Sequence, residues 1–184
     1  MLVNKSSIFI IPRASTAWRG NEAGWITASG WASAGRALWG DALVATTDGV
    51  FSPDESISFP KGVPVNAISG SPRRGALRKL VPEILITALK DWKLKRSKPV
   101  VWPVEHDEVL RNKEVMMVWE RHDLFPGPGK RLASKLNVPF VVSVEALAVW
   151  EANKWGVKRP LWGRWLENQV EAKSLKGADL VSCV

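Results

Sequence analysis

Cysteine occurs once, as Cys183, in a chain of 184 residues. An intramolecular disulfide is therefore impossible, and a thiol-rich metal site has no ligands to draw on. Histidine occurs twice, and no H-E-x-x-H or paired His/Cys spacing is present, so no metal is expected. Tyrosine is missing altogether. No apolar run approaches the roughly 20 residues that a membrane-spanning helix needs. The segment Met1–Ile11 carries one lysine and a short apolar run without a small-residue cleavage site. It reads as a first strand rather than a secretory leader, with the cytoplasm as the default compartment. There is no G-x-S-x-G elbow, no G-x-G-x-x-G dinucleotide fingerprint, no Gly-Lys-Ser/Thr phosphate loop and no strand of interleaved basic and aromatic residues. Nucleic acid is accordingly not an expected partner.

What is present is a globular composition: 46% hydrophobic, 24% charged, with a net charge of +8 and 11 tryptophans. Such a chain can bury a core, unlike a disordered one, and its length suits a single domain over residues 1–184. Short β-rich apolar runs alternate with helical patterns. Strands are expected at Ser7–Ile11, Ala42–Thr47, Pro64–Ile68, Val115–Trp119, Phe140–Val144 and Asp179–Val184, with Val100–Trp102 as a weaker candidate. Most are continuous rather than alternating, as suits strands covered on both faces. The alternation predicts an α/β three-layer sandwich with a mostly parallel sheet.

The helices have their own signatures. Residues 21–39 are rich in Gly, Ala and Ser, which lets a helix lie close to a sheet, with Asn21 as candidate N-cap. From Leu77 an i, i+3, i+4 stripe runs through Leu80, Val81, Ile84, Leu85, Ala88, Leu89 and Trp92. Pro82 either sits in the first turn or kinks the helix. Pro128 begins a helix carrying Leu132 and Leu136. Pro160 begins another, with Leu161, Trp162, Trp165, Leu166 and Val170 on its apolar face and Gly177 as its stop. Residues 50–63 read as loop. Residues 71–98 hold nine basic and two acidic side chains, +7 of the net +8. If the stripe faces the core, these cations face water, where they suit an anionic membrane surface or nucleic acid, or remain a solvated face.

Ligands of open parallel sheets bind at the carboxyl ends of strands, and four loops fall there. The first, Pro12–Glu22, holds Arg13, Trp18, Arg19, Gly20 and Asn21 ahead of a helix, an arrangement that is either a phosphate-proximal loop or a plain turn. The second is Thr46-Thr47-Asp48-Gly49, where Asp48 binds a ribose or caps its own turn. The third is Trp119-Glu120-Arg121-His122-Asp123, a run of titratable residues that is either a site or a solvated ion-pair turn. The fourth is Ser143-Val144-Glu145-Ala146, with Glu145 leaving a buried strand, where a carboxylate needs a partner. Trp150, Glu151 and Trp155 follow it in a loop or short helix. Trp150 and Trp18 are candidates for stacking on a sugar, whereas Trp92 and Trp165 read as core packing.

The stretch Val118-Trp119-Glu120-Arg121-His122-Asp123-Leu124-Phe125, a Gly-rich turn, and Leu132-Ala133-Ser134-Lys135-Leu136-Asn137-Val138-Pro139-Phe140-Val141-Val142 resembles the middle of the N-terminal domain of family 4 glycosyltransferases. The ending, Glu167 and then Lys176-Gly177-Ala178-Asp179-Leu180-Val181-Ser182-Cys183-Val184, is similar to that domain's last strand. The resemblance implies the N-terminal, acceptor-side half of a GT-B fold, built as one Rossmann-like domain over 1–184. The nucleotide-sugar domain would lie outside this chain, as the apolar ending Leu180–Val184 also leads one to expect. It further implies retaining transfer from a nucleotide-sugar donor to a glycan or lipid-linked acceptor, with no metal or other cofactor. The chain alone is expected to be inactive, and the enzyme to work in the cytoplasm or at the cytoplasmic membrane face. On this reading Glu120, Arg121, His122, Glu145 and Trp150 line the acceptor side or cleft, and Arg13, Trp18, Arg19, Gly20 and Asn21 lie near the donor phosphates. Where many members have a histidine, this chain has Glu145, so a histidine's role does not transfer to it. The competing reading is a non-catalytic Rossmann-like module for a nucleotide or anion.

Overall fold

The uninterrupted apolar runs become the strands of one sheet. The computed structural model describes residues 4–13, 23–47, 49–51, 82–97 and 110–183. In chain order these form β1 (Asn4–Ile10), α1 (Ala23–Trp39), β2 (Gly40–Thr46), β3 (Gly49–Phe51), α2 (Glu83–Arg96), β4 (Lys113–Arg121), α3 (Gly129–Leu136), β5 (Phe140–Val144) and α4 (Ala148–Lys154). Then come α5 (Gly163–Trp165), a π-helical segment (Leu166–Glu171) and α6 (Ala172–Lys176) on one continuous path, and finally β6 (Leu180–Cys183).

The sheet order is β3-β2-β1-β4-β5-β6. All pairings from β2 to β6 are parallel, and β3 alone runs antiparallel, on β2. β5 is buried along its whole length, and β1 and β2 are buried over their last five residues, which explains why they are mainly apolar, with only Ser6, Ser7, Thr46 and Ser143 as buried polar residues among them. Alternate residues feed two cores. Ile8, Ile10, Leu43, Val118, Phe140 and Val142 pack with Leu132 and Ala133 of α3. Phe9, Ala42, Val44, Trp119 and Val141 pack with Ala28 and Ala32 of α1. Helices thus cover both faces, and the fold is a Rossmann-like α/β sandwich of three layers.

Small residues set the separation of α1 from the sheet: a Cβ placed on Gly35 would collide with the side chain of Ser7. α1 passes straight into β2 through Gly40, whose φ of +90° is a left-handed conformation natural to glycine. α3 ends on Asn137 at φ 55°, the other residue type that readily closes a helix this way. Asp179 ties the last strand down: its Oδ2 accepts from the Phe140 N–H at 2.8 Å, while its own N–H donates to the Phe140 carbonyl at 2.9 Å.

Several expectations change. β3 occupies residues assigned partly to loop, and β4 extends two residues beyond the expected strand at each end. The fourth helical run starts at Gly163 rather than Pro160, leaving Leu161 88% exposed. Trp92 and Trp165 do not belong to the core; they are 53% and 48% exposed. α2 begins at Glu83 with Pro82 just before it, and it is turned the other way from the expected stripe. Thr87 and Asp91 are buried, while Ile84, Leu85, Leu89 and Trp92 face solvent. The reason is an ion pair: Asp91 accepts from Arg159 Nε at 2.7 Å, Arg159 Nη2 at 3.0 Å and Trp162 Nε1 at 2.8 Å. Leu94, on the same side, joins Leu124, Phe125, Val149 and Leu166 in a third, smaller core. The expected strands Pro64–Ile68 and Val100–Trp102 lie outside the described residues.

Candidate functional site

The chain leaves β1 toward β2 on one side, and β4 lies on the other side, so the strand order reverses between β1 and β4. At such a point the connections diverge and open a crevice beyond the carboxyl ends of the strands. Arg13 follows β1 and Asp123 follows β4, and they meet across this point, with Arg13 Nη1 at 2.9 Å from Asp123 Oδ2. The same Nη1 donates to the Phe125 carbonyl, and the guanidinium carbon lies 5.9 Å from the Phe125 ring centroid. Asp123 also accepts from the Leu124 N–H at 2.7 Å, which fixes the turn after β4.

A second pair stands beside the first. Arg121 ends β4 on the α1 side of the sheet, in phase with Trp119, and its Nη2 donates to Glu145 Oε2 at 2.6 Å. The hydrogen bond and charge of Arg121, with a smaller contribution from Thr27 of α1, outweigh burial and hold the Glu145 carboxyl below its ordinary range. Glu145 is therefore an ionised hydrogen-bond acceptor rather than a group poised to take up protons near neutrality. Arg121 Nε, Glu145 Oε1, Arg13 Nε, Trp119 Nε1 and Ser143 Oγ are all buried without a hydrogen-bond partner. Orphaned polar atoms are rare in folded proteins because each costs desolvation without return. Three of these five, on Trp119, Arg121 and Ser143, belong to residues that line a cavity of about 10 Å³ together with Thr27 and Trp31.

Glu120 and His122 point elsewhere. Glu120 lies on the α3 side, 4% exposed, where Oε1 accepts from the Gly127 N–H at 2.8 Å and Oε2 from the Gly129 N–H at 2.6 Å. Burial pushes its carboxyl above the ordinary range against the pull of those two bonds. Its carboxylate fixes the loop that follows Phe125, and the residue also lines a cavity of about 370 Å³ with Gly127, Lys130, Phe140 and Val170. His122 is turned inward as well: Nε2 lies 3.0 Å from Glu171 Oε1, and both side chains are nearly inaccessible. Glu171 in turn accepts from the Ala148 and Val149 N–H groups at 2.8 and 3.1 Å. Burial raises the Glu171 carboxyl, but the hydrogen bonds from His122, Val149 and Ala148 together leave it lowered. His122 thus joins the β4 loop to α4 and the π-helical segment instead of facing a ligand.

Of the expected residues, the structure gathers Arg13, Arg121 and Glu145 at the carboxyl edge, with Glu120 and His122 behind them. Trp150 stands on α4, 55% exposed, with Lys154 Nζ 5.3 Å from its ring centroid. Trp18, Arg19, Gly20 and Asn21 lie outside the described residues, as does Asp48. Thr27 and Glu171 fall outside the four candidate loops, whereas Asp123 and Ser143 stand in the third and fourth of them without having been singled out. Among the described residues no group of three His, Cys, Asp or Glu side chains is placed to hold a metal, and no helix is long and apolar enough to cross a membrane. In comparisons with known proteins, no family model, curated sequence or solved structure matches the chain.

Proposed function

We propose that the chain is the acceptor-side domain of a retaining glycosyltransferase, with the sugar acceptor held at the carboxyl edge of the sheet. The observation that carries this reading is the Arg121–Glu145 pair beside the strand-order reversal, with buried hydrogen-bonding atoms left over around it. Sugars are recognised by bidentate and charge-assisted hydrogen bonds to hydroxyls, and an ionised carboxylate next to a guanidinium offers both an acceptor and a donor for them. The ordered likeness of residues 115–184 to family 4 glycosyltransferases supports the same assignment. In such an enzyme a second domain holds most of the nucleotide-sugar. On this reading Arg13, at the strand-order reversal, would face the departing diphosphate, as fixed donors do for developing negative charge.

The second reading, a nucleotide- or anion-binding module without catalysis, is favoured by the position of Arg13 at the switch point. Saturation-transfer NMR with a panel of mono- and disaccharides, together with calorimetry using uridine diphosphate, separates the two. The first reading expects sugar signals that vanish in Arg121→Ala and Glu145→Ala, and weak or no diphosphate binding. Tight diphosphate binding without sugar binding would replace it with the second reading.

A further inference from the structure

We propose that α2 and the adjoining Leu161–Trp165 segment form a surface that docks onto an anionic lipid bilayer, inserting apolar side chains at headgroup level. The proposal stands apart from sugar transfer. On α2, Leu85, Leu89 and Trp92 are 54%, 62% and 53% exposed, and Leu161 and Trp165 next to it are 88% and 48% exposed. The two segments are held together by the Asp91–Arg159 and Asp91–Trp162 bonds and by Lys95, whose Nζ lies 5.5 Å from the Trp165 ring centroid. The exposed apolar face is therefore built into the fold: the buried ion pair turns α2 so that its hydrophobic side chains point outward.

The occupant follows from the charge that accompanies this face. Lys90, Lys93, Lys95 and Arg96 are exposed on the same helix, and Glu83 is its one exposed acid. The Arg96 guanidinium carbon sits 4.0 Å from the Trp92 ring centroid. The cores of protein–protein interfaces are depleted of lysine. Leucine and tryptophan ringed by lysine and arginine is instead the composition of helices that lie in the bilayer interface, where tryptophan rings sit at the headgroups and long cations reach the phosphates. A helix of 14 residues spans about 21 Å, too short to cross a bilayer and long enough to lie along one.

The test is flotation of the chain with vesicles of pure phosphatidylcholine and with equimolar phosphatidylcholine and phosphatidylglycerol. Binding to the anionic vesicles is expected to exceed that to the neutral ones by more than about tenfold, since each cation near the surface adds roughly 1 kcal/mol. The double substitution Leu85→Glu with Leu89→Glu should abolish binding without changing the thermal midpoint, because both side chains are exposed. Three results would overturn the proposal. The first is no binding to either vesicle, and the second is binding that survives the double substitution, which would make the contact purely electrostatic. The third is self-association in sedimentation equilibrium that the double substitution abolishes, which would make a second copy the occupant.

Discussion

At the scale of single residues, Glu120 shows how much one buried carboxylate can organise. Gly127 and Gly129 approach it so closely that a Cβ on Gly129 would lie 2.6 Å from both Glu120 Oε2 and Phe140 Cε2. Gly129→Ala should therefore displace the carboxylate and destabilise the protein. Glu120→Gln keeps the shape but sets an amide N–H₂ against one of two backbone donors. The loss should be about 1–3 kcal/mol, the cost of one unsatisfied buried group, read from denaturant midpoints. Glu171 gives a pH signature of the opposite sense to that of Glu120. Its carboxyl is held below the ordinary value of 4.5, so the unfolded chain binds that proton more readily than the folded one. The stability it contributes is full above the ordinary value and is lost as pH falls through the folded one. Glu171→Gln should lower stability at neutral pH and flatten its decline in acid. For Glu120, raised by burial, the corresponding contribution is largest in acid and falls as pH rises through the window above 4.5.

At the scale of elements, α2 depends on its ion pair. Asp91 and Arg159 are each about 10% exposed, so Asp91→Ala leaves a guanidinium buried and unpaired, a change that costs about 3–5 kcal/mol in comparable cases. Among the described residues α2 buries only Thr87 besides Asp91, so the loss should appear as local detachment: faster amide exchange along Glu83–Arg96, with the sheet still protected. This helix also marks where sequence reasoning stops. The apolar periodicity of Ile84, Leu85, Ala88, Leu89 and Trp92 identifies a helix, but periodicity says only that the residues share a face, not that the face is buried. The burial is decided by Asp91 and an arginine 68 positions away. The sheet was far more legible. The bounds of β5 are legible because a strand covered on both faces is apolar on both, here with Ser143 as the one polar residue, whereas three-residue β3 is too short to carry a pattern. Arg121 and Glu145 were legible as charged residues at the exits of buried strands. Their pairing, and the inward turn of His122, depend on which strands are neighbours.

At the scale of the whole molecule, the strand order places both arginine–carboxylate pairs at one end of the sheet. The α2 surface is anchored to loops beyond that same end through Leu94, Leu124 and Phe125. On the proposed division of labour, incubation of the chain with a nucleotide-sugar and candidate acceptors should yield no transferred sugar, as measured by radiolabel incorporation. Turnover by the chain alone would remove the need for a second domain. The π-helical segment Leu166–Glu171 bears on how this architecture tolerates change in length. An i→i+5 turn holds one residue more than an α turn, so the segment carries one residue in excess of an ordinary helix. Deleting one residue from it would let the turn tighten to α geometry and keep Glu171 facing His122 and the start of α4. A length change that would turn a plain α-helix by about 100° is here absorbed by the wide turn.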